Sequence, residues 1–178
     1  MIADLKINDI YDTNKVIIQT LADIGFDCAI VNPFIGRASL ISLVEFAHSI
    51  DFGIISLVYM SHPDAVEGYG ASILSSKSTP GADKLRRVYR VFYENSLTAR
   101  VDGIVIGANR VDILRELSSD GKPEIPIYSP GLITQGGNII SATEAGTTYL
   151  IIGRAILESQ SPASALEEIL TSVSNKMG

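Results

Sequence analysis

The 178-residue sequence has no tryptophan, one cysteine and two histidines, and each scarcity closes off a line of interpretation. A lone cysteine, Cys28, forms no internal disulfide, which suits a reducing, cytoplasmic compartment; its apolar neighbours place it in the core. With His48 and His62 far apart in sequence and Cys28 alone, no clustered metal ligands are present, so neither a metal nor another cofactor is expected. Basic residues are outnumbered, 14 against 20 acidic, for a net charge of −6. That balance leaves no basic stripe to follow nucleic-acid phosphates. No long uncharged apolar run occurs and the start has no export-type pattern, so neither membrane insertion nor secretion is expected. What remains, 46% apolar residues in 178 positions, is enough for one well-buried domain and is short for two.

The most informative stretch is DLKINDIYDTN, residues 4–14. Residues 2–7 alternate and read as a short strand, on which Asp4 and Lys6 project from one face. A carboxylate and an ammonium on such a face are costly unless they pair or perform chemistry. Asp9 follows just past the strand end, where α/β folds carry their working residues. Asp12 or Thr13 is placed to cap the helix read over 12–24, with Gly25 as its stop.

Further along, strands are read at 28–31 and 53–58, with a helix over 39–49 between them and His48 near that helix's negative end. MSHP (60–63) then opens a polar Gly- and Ser-rich stretch, 64–81, read as a structureless connection. His62 has no second histidine to work with, and Pro63 gives it a turn role. A helix over 82–97 would bury Leu85, Val88, Val91 and Phe92, leaving Lys84, Arg86, Arg87 and Arg90 on a solvated face. A strand at 101–106, a helix over 111–117, a strand at 124–128 weakened by Pro126, a strand at 148–152 and a helix over 162–176 complete the chain.

Two strand ends in the last third look built for an anion. SPGLITQGG (129–137) follows the penultimate strand, and its glycines leave backbone N–H groups accessible. IIGR (151–154) ends the last strand, where Arg154 offers a planar fork suited to phosphate. A Gly-rich turn and a Gly-Arg pair at those two ends is the arrangement of a TIM-barrel phosphate site. The strand–helix alternation gives six βα units of an α/β, (β/α)8-type barrel, with residues 1–178 as one partial barrel domain.

DLKINDIYDTN, MSHP, SPGxxxQGG and IIGR, in that order, resemble the orotidine 5'-monophosphate decarboxylase family, its archaeal members in particular. The resemblance covers essentially the whole chain. It implies that Lys6, with Asp4 and Asp9, is catalytic, and that Ile10 and Thr13 join Asp9 in reaching the neighbouring subunit's site, making the working enzyme a homodimer with shared sites. It implies that Ser61 contacts the pyrimidine ahead of a mobile loop, that Pro130 borders the base, and that Gln135, Gly153 and Arg154 hold the phosphate. It also implies two upstream βα units, carrying a ribose-binding aspartate and a second lysine, that the 178 residues do not include; without them the chain is expected to aggregate or to be inactive.

The expected reaction is loss of CO2 from orotidine 5'-monophosphate to give uridine 5'-monophosphate. Negative charge develops at C6 with no electron sink, so a preorganised cation beside C6 would stabilise it and then donate the proton. Two alternatives stand beside this reading. One is a Mg²⁺-dependent sugar-phosphate decarboxylase or aldolase sharing D-x-K-x-x-D. The other is a phosphate-binding remnant without catalysis.

Overall fold

In the computed structural model, β1 (Ile2–Ile7) is interrupted at its centre by the residues that drew attention in the sequence. Ala3 pairs with Ala29 and Ile7 with Val31, so four steps along β1 oppose two along its neighbour. The excess is a bulge over Asp4, Leu5 and Lys6, and Lys6 adopts a left-handed φ of 51° to make it. The structure describes residues 1–75, 84–119, 121–133 and 135–177. They fall into two units, Met1–Val105 and Ile106–Gly178, which are taken in turn.

In the first unit, β1 leads to α1 (Tyr11–Asp23), β2 (Cys28–Val31), a 3-10 turn at Pro33–Ile35, α2 (Arg37–Ser49) and β3 (Gly53–Tyr59). Then follow α3 (Ala65–Gly68), β4 (Ser72–Ser75), β5 (Lys84–Arg87), α4 (Val88–Ala99) and β6 (Gly103–Ile106). β1, β2 and β3 run parallel and β6 lies beside β3. β3 is nearly continuous apolar sequence because it is buried along almost its whole length, as strands of parallel sheets are. Ile18, Leu40, Leu43, Val44, Ile54, Leu57 and Ile104 are among this unit's most buried side chains. Phe34, Tyr59, Tyr69, Tyr89 and Phe92 make a second cluster, with Phe34 edge-on to Phe92 at 4.7 Å between ring centres.

Three sequence expectations fail in this unit. Neither Asp12 nor Thr13 caps α1: the cap position is Ile10, which has no side chain able to do it. Residues 64–75 are not structureless, since α3 and β4 lie within them; 76–81 fall outside the described residues. The helix expected over 82–97 begins only at Val88. Lys84–Arg87 instead pairs antiparallel with Ser72–Ser75, with Leu74 opposite Leu85, and residues 82 and 83 lie outside the described set. Leu85 is therefore 71% exposed rather than core, while Val88, Tyr89 and Phe92 are buried. Of the basic run, Arg86 and Arg87 precede the helix, Arg86 pairing with Glu94 and Arg87 donating to the Gly70 carbonyl at 2.6 Å, while Arg90 is exposed on α4.

The second unit carries α5 (Val111–Leu117), a short hairpin of β7 (Ser118–Ser119) and β8 (Lys122–Pro123), β9 (Ile127–Ser129), α6 (Ile139–Glu144), β10 (Tyr149–Leu150), α7 (Arg154–Leu157) and α8 (Pro162–Met177). β9 and β10 are parallel, and the register pair Tyr128 and Tyr149 stacks at 4.6 Å. The strand expected at 124–128 starts after Pro126, which has no N–H for a ladder. α6 was absent from the sequence reading; Asn138 caps it, its side-chain oxygen accepting from the Ser141 N–H. Strands β1, β2, β3, β6, β9 and β10, each followed by helix, give the six βα units that the alternation predicts. No described helix is long and apolar enough to cross a membrane.

Candidate functional site

Asp4 and Lys6 both lie in the bulge of β1. In a plain strand, residues two apart would share a face but stand about 7 Å apart along the chain. Here the Lys6 Nζ lies 2.7 Å from the Asp4 Oδ1, a charge-assisted hydrogen bond. Both side chains stay accessible, 40% exposed for Lys6 and 58% for Asp4, so the pair is open to a ligand. The left-handed backbone at a non-glycine residue costs roughly 1–2 kcal/mol, and such strain gathers at sites where a side chain must be aimed. A paired ammonium on a strained, accessible strand end can stabilise charge developing beside it and pass on a proton.

Asp9 lies just beyond β1, and its carboxylate accepts the Ile10 N–H at 2.7 Å. Asp9 and Thr13 are exposed, and Ile10, a large apolar side chain, is 69% exposed. Ser61 is half-buried past the end of β3. These six residues, Asp4, Lys6, Asp9, Ile10, Thr13 and Ser61, all belong to the first unit and lie within β1 or in the segments that follow β1 and β3.

The four expected phosphate and base residues belong to the second unit. Pro130 follows β9, and its carbonyl accepts the Ala108 N–H at 2.8 Å. The loop after it folds back on itself: Gly137 N–H bonds to the Gly131 carbonyl, and Ile133 N–H to the Gly137 carbonyl. Gly137 has to be glycine for this closure, since a Cβ there would stand 2.7 Å from the Gly131 oxygen and 2.9 Å from the Ala108 methyl. Gln135 is exposed on this loop, and its carbonyl faces the Asn109 side-chain amide at 3.5 Å. Gly153 and Arg154 follow β10, both exposed, with open space where a Gly153 side chain would be.

Sequence reasoning missed Asn14 and Asn109, which touch the backbone of the expected site residues Asp9 and Gln135. A signal for Asn14 existed. It occupies the first place of the stripe Asn14, Ile18, Leu21 that α1 buries, where periodicity calls for an apolar side chain. Among the described residues no group of three or more His, Cys, Asp or Glu is arranged to hold a metal ion. His48 bonds Asp102 at 3.0 Å, and the same carboxylate oxygen accepts the Ile54 N–H at 2.7 Å, at the opposite strand ends from Lys6. Burial, and then the nearby Asp102 charge, push the half-buried Cys28 thiol up to about 11. Burial likewise raises Tyr69, opposed by a hydrogen bond from Asn32.

Residues 1–169 match the family described as "Orotidine 5'-phosphate decarboxylase / HUMPS family". Orotidine 5'-phosphate decarboxylase of Pyrococcus furiosus is 32% identical over 173 residues, 97% of this chain and 72% of the relative. The Thermoplasma acidophilum protein of the same name is 34% identical over 169 residues, covering 69% of that relative. Among solved structures, the Methanocaldococcus jannaschii orotidine 5'-monophosphate decarboxylase, complexed with inhibitor BMP, superposes with a TM-score of 0.78 at 29% identity. That match covers 94% of this chain and 71% of the other. With these neighbours, the six βα units are those of a (β/α)8-type barrel.

Proposed function

The chain belongs to the orotidine 5'-phosphate decarboxylase / HUMPS family, and from that premise we propose that it converts orotidine 5'-monophosphate to uridine 5'-monophosphate and CO2. It is a carboxy-lyase of pyrimidine nucleotide synthesis. The observation that carries this reading is the Lys6–Asp4 pair, 2.7 Å apart on an accessible, strained bulge within the matched region.

The C6–carboxylate bond breaks and its electron pair stays on C6. The Lys6 ammonium beside C6 stabilises that pair and delivers its proton there, recovering one afterwards from solvent. Asp4 keeps Lys6 protonated and aimed, and stands against the departing carboxylate. Asp9 of a second copy completes the charged group. Ser61 and Pro130 border the base. Gln135, Gly153 and Arg154 take the phosphate, and binding energy spent there, remote from C6, helps assemble the site for chemistry.

Asp9, Ile10 and Thr13 serve the site of a second copy in a homodimer. The exposed Ile10 side chain beside charged residues supports this, since an apolar group of that size is better covered by a partner. The enzyme works in the cytoplasm, which suits its lone thiol.

The test is Lys6→Ala in the gene-encoded protein. Turnover falls by ~10³-fold or more while uridine 5'-monophosphate still binds. Near-wild-type turnover would remove Lys6 from the mechanism, and sedimentation of the wild type as a monomer at assay concentration would remove the shared site.

A further inference from the structure

Asn14 is the one polar side chain on the buried stripe of α1, and it is fully buried, at 0% exposure. Both ends of its amide bond to one residue. The Asn14 Oδ1 accepts the Asp9 N–H at 3.0 Å, and the Asn14 Nδ2 donates to the Asp9 carbonyl at 2.6 Å. We infer that Asn14 is a positioning residue of the active site, fixing the Asp9 carboxylate through the Asp9 backbone. The inference rests on the decarboxylase reading above and assigns a residue that reading does not use.

The geometry separates this from ordinary helix capping. A cap side chain satisfies N–H groups of its own helix's first turn. Asn14 instead reaches back out of α1, whose cap position is Ile10, and pairs with the loop before it as a neighbouring strand's peptide group would. The Asp9 N–H belongs to the peptide plane entering Asp9 and its carbonyl to the plane leaving it. Holding both planes fixes φ and ψ of that residue and hence the direction of its Cα–Cβ bond.

The carboxylate is then set by one further bond, from the Ile10 N–H to the Asp9 Oδ1 at 2.7 Å. Asp9 is otherwise an exposed loop residue, so little else in this unit holds it against solvent. A buried amide where an isoleucine would pack is a standing cost that its two bonds offset. An apolar residue there would serve the helix alone better. The amide serves Asp9.

The experiment is a double-mutant cycle between Asn14→Ala and Asp9→Asn in the gene-encoded protein. It is read by turnover of orotidine 5'-monophosphate and by affinity for uridine 5'-monophosphate, so that a background too slow to assay still returns a coupling. With Asp9 present, Asn14→Ala lowers turnover by ~10²-fold, the scale of a small misplacement of a catalytic group. With Asn at position 9 the same change costs less than about threefold, because the group being positioned is gone. The melting temperature, by contrast, drops equally in both backgrounds. Equal fold-losses in activity and in affinity with and without the Asp9 carboxylate would make Asn14 a folding residue and overturn the inference. If Asn14→Ala does not fold, Asn14→Asp replaces it: it keeps an acceptor for the Asp9 N–H, loses the donor to the Asp9 carbonyl, and is expected to lose ~10-fold. A wild-type protein that neither binds the nucleotide nor releases CO2 would bring down the decarboxylase reading and this inference together. Full wild-type activity with an uncoupled cycle would bring down this inference alone.

Discussion

Lys6 pays for its position in backbone strain, and that makes its substitution informative about stability as well as catalysis. With φ at 51°, any residue with a Cβ at this place carries roughly 1–2 kcal/mol relative to an unstrained conformation. The Asp4 partnership returns little: with side chains 40% and 58% exposed, such a pair contributes about 0–1 kcal/mol. Lys6→Ala therefore loses the pair, keeps the strain, and destabilises by at most about 1 kcal/mol. Lys6→Gly loses the same pair but relieves the strain, less roughly 0.5–1 kcal/mol for glycine's extra unfolded-state freedom. The glycine variant is expected to be about 0.5–1 kcal/mol more stable than the alanine variant, a melting temperature ~1–4 °C higher for a chain of this size. Both variants are expected to lose turnover alike, so their difference in stability reads the backbone strain alone. Calorimetric melting of the three proteins in one buffer decides it. An alanine variant as stable as the glycine variant, or more so, would show that the left-handed backbone at Lys6 stores no strain.

Arg154→Ala should weaken phosphate-bearing ligands by ~1.5–3 kcal/mol and leave uridine affinity nearly unchanged, read by titration calorimetry of nucleotide against nucleoside; equal losses would make the arginine structural. Gly137→Ala pushes a methyl to within 2.7 Å of the Gly131 carbonyl, so the 130–137 loop must shift, destabilising by about 1–3 kcal/mol and weakening nucleotide but not nucleoside. Unchanged nucleotide affinity would separate that loop from the phosphate. The Cys28 thiol, held up to about 11, should alkylate at pH 8 far more slowly than a free thiol until the protein unfolds. Because its folded value lies above its unfolded one, its contribution to stability is complete below about pH 9 and is lost as pH rises towards 11. Cys28→Ala should flatten that part of the stability curve.

The parts legible in the sequence were those set by local pattern. α1, β2, α2, β3 and α5 follow from apolar periodicity and its punctuation, and the strand ends carrying Asp9, Ser61, Pro130 and Arg154 lie where the alternation places them. The parts that were not legible are set by pairing at a distance. Leu85, Val88, Val91 and Phe92 fit a helical face, yet Leu85 lies across from Leu74 in a hairpin whose register no local spacing announces. Residues 2–7 alternate like a plain strand, whereas the bulge at Asp4, Leu5 and Lys6 exists because β2 offers two ladder steps to β1's four. α6 was legible in principle, since Asn138 is a strong cap residue, but six residues are too few for periodicity to speak. At the site itself, residue identities came from motifs and the supporting amides did not, because Asn14 and Asn109 act on backbone atoms.

The central claim is that CO2 leaves C6 and a solvent-exchangeable proton takes its place, and product analysis in D2O tests that replacement most directly. The gene-encoded protein, incubated with orotidine 5'-monophosphate in D2O with a strong chelator present, should release one CO2 for each uridine 5'-monophosphate formed, and that product should carry one deuterium at C6. No CO2 release, release abolished by the chelator, or a product without deuterium at C6 would contradict the account.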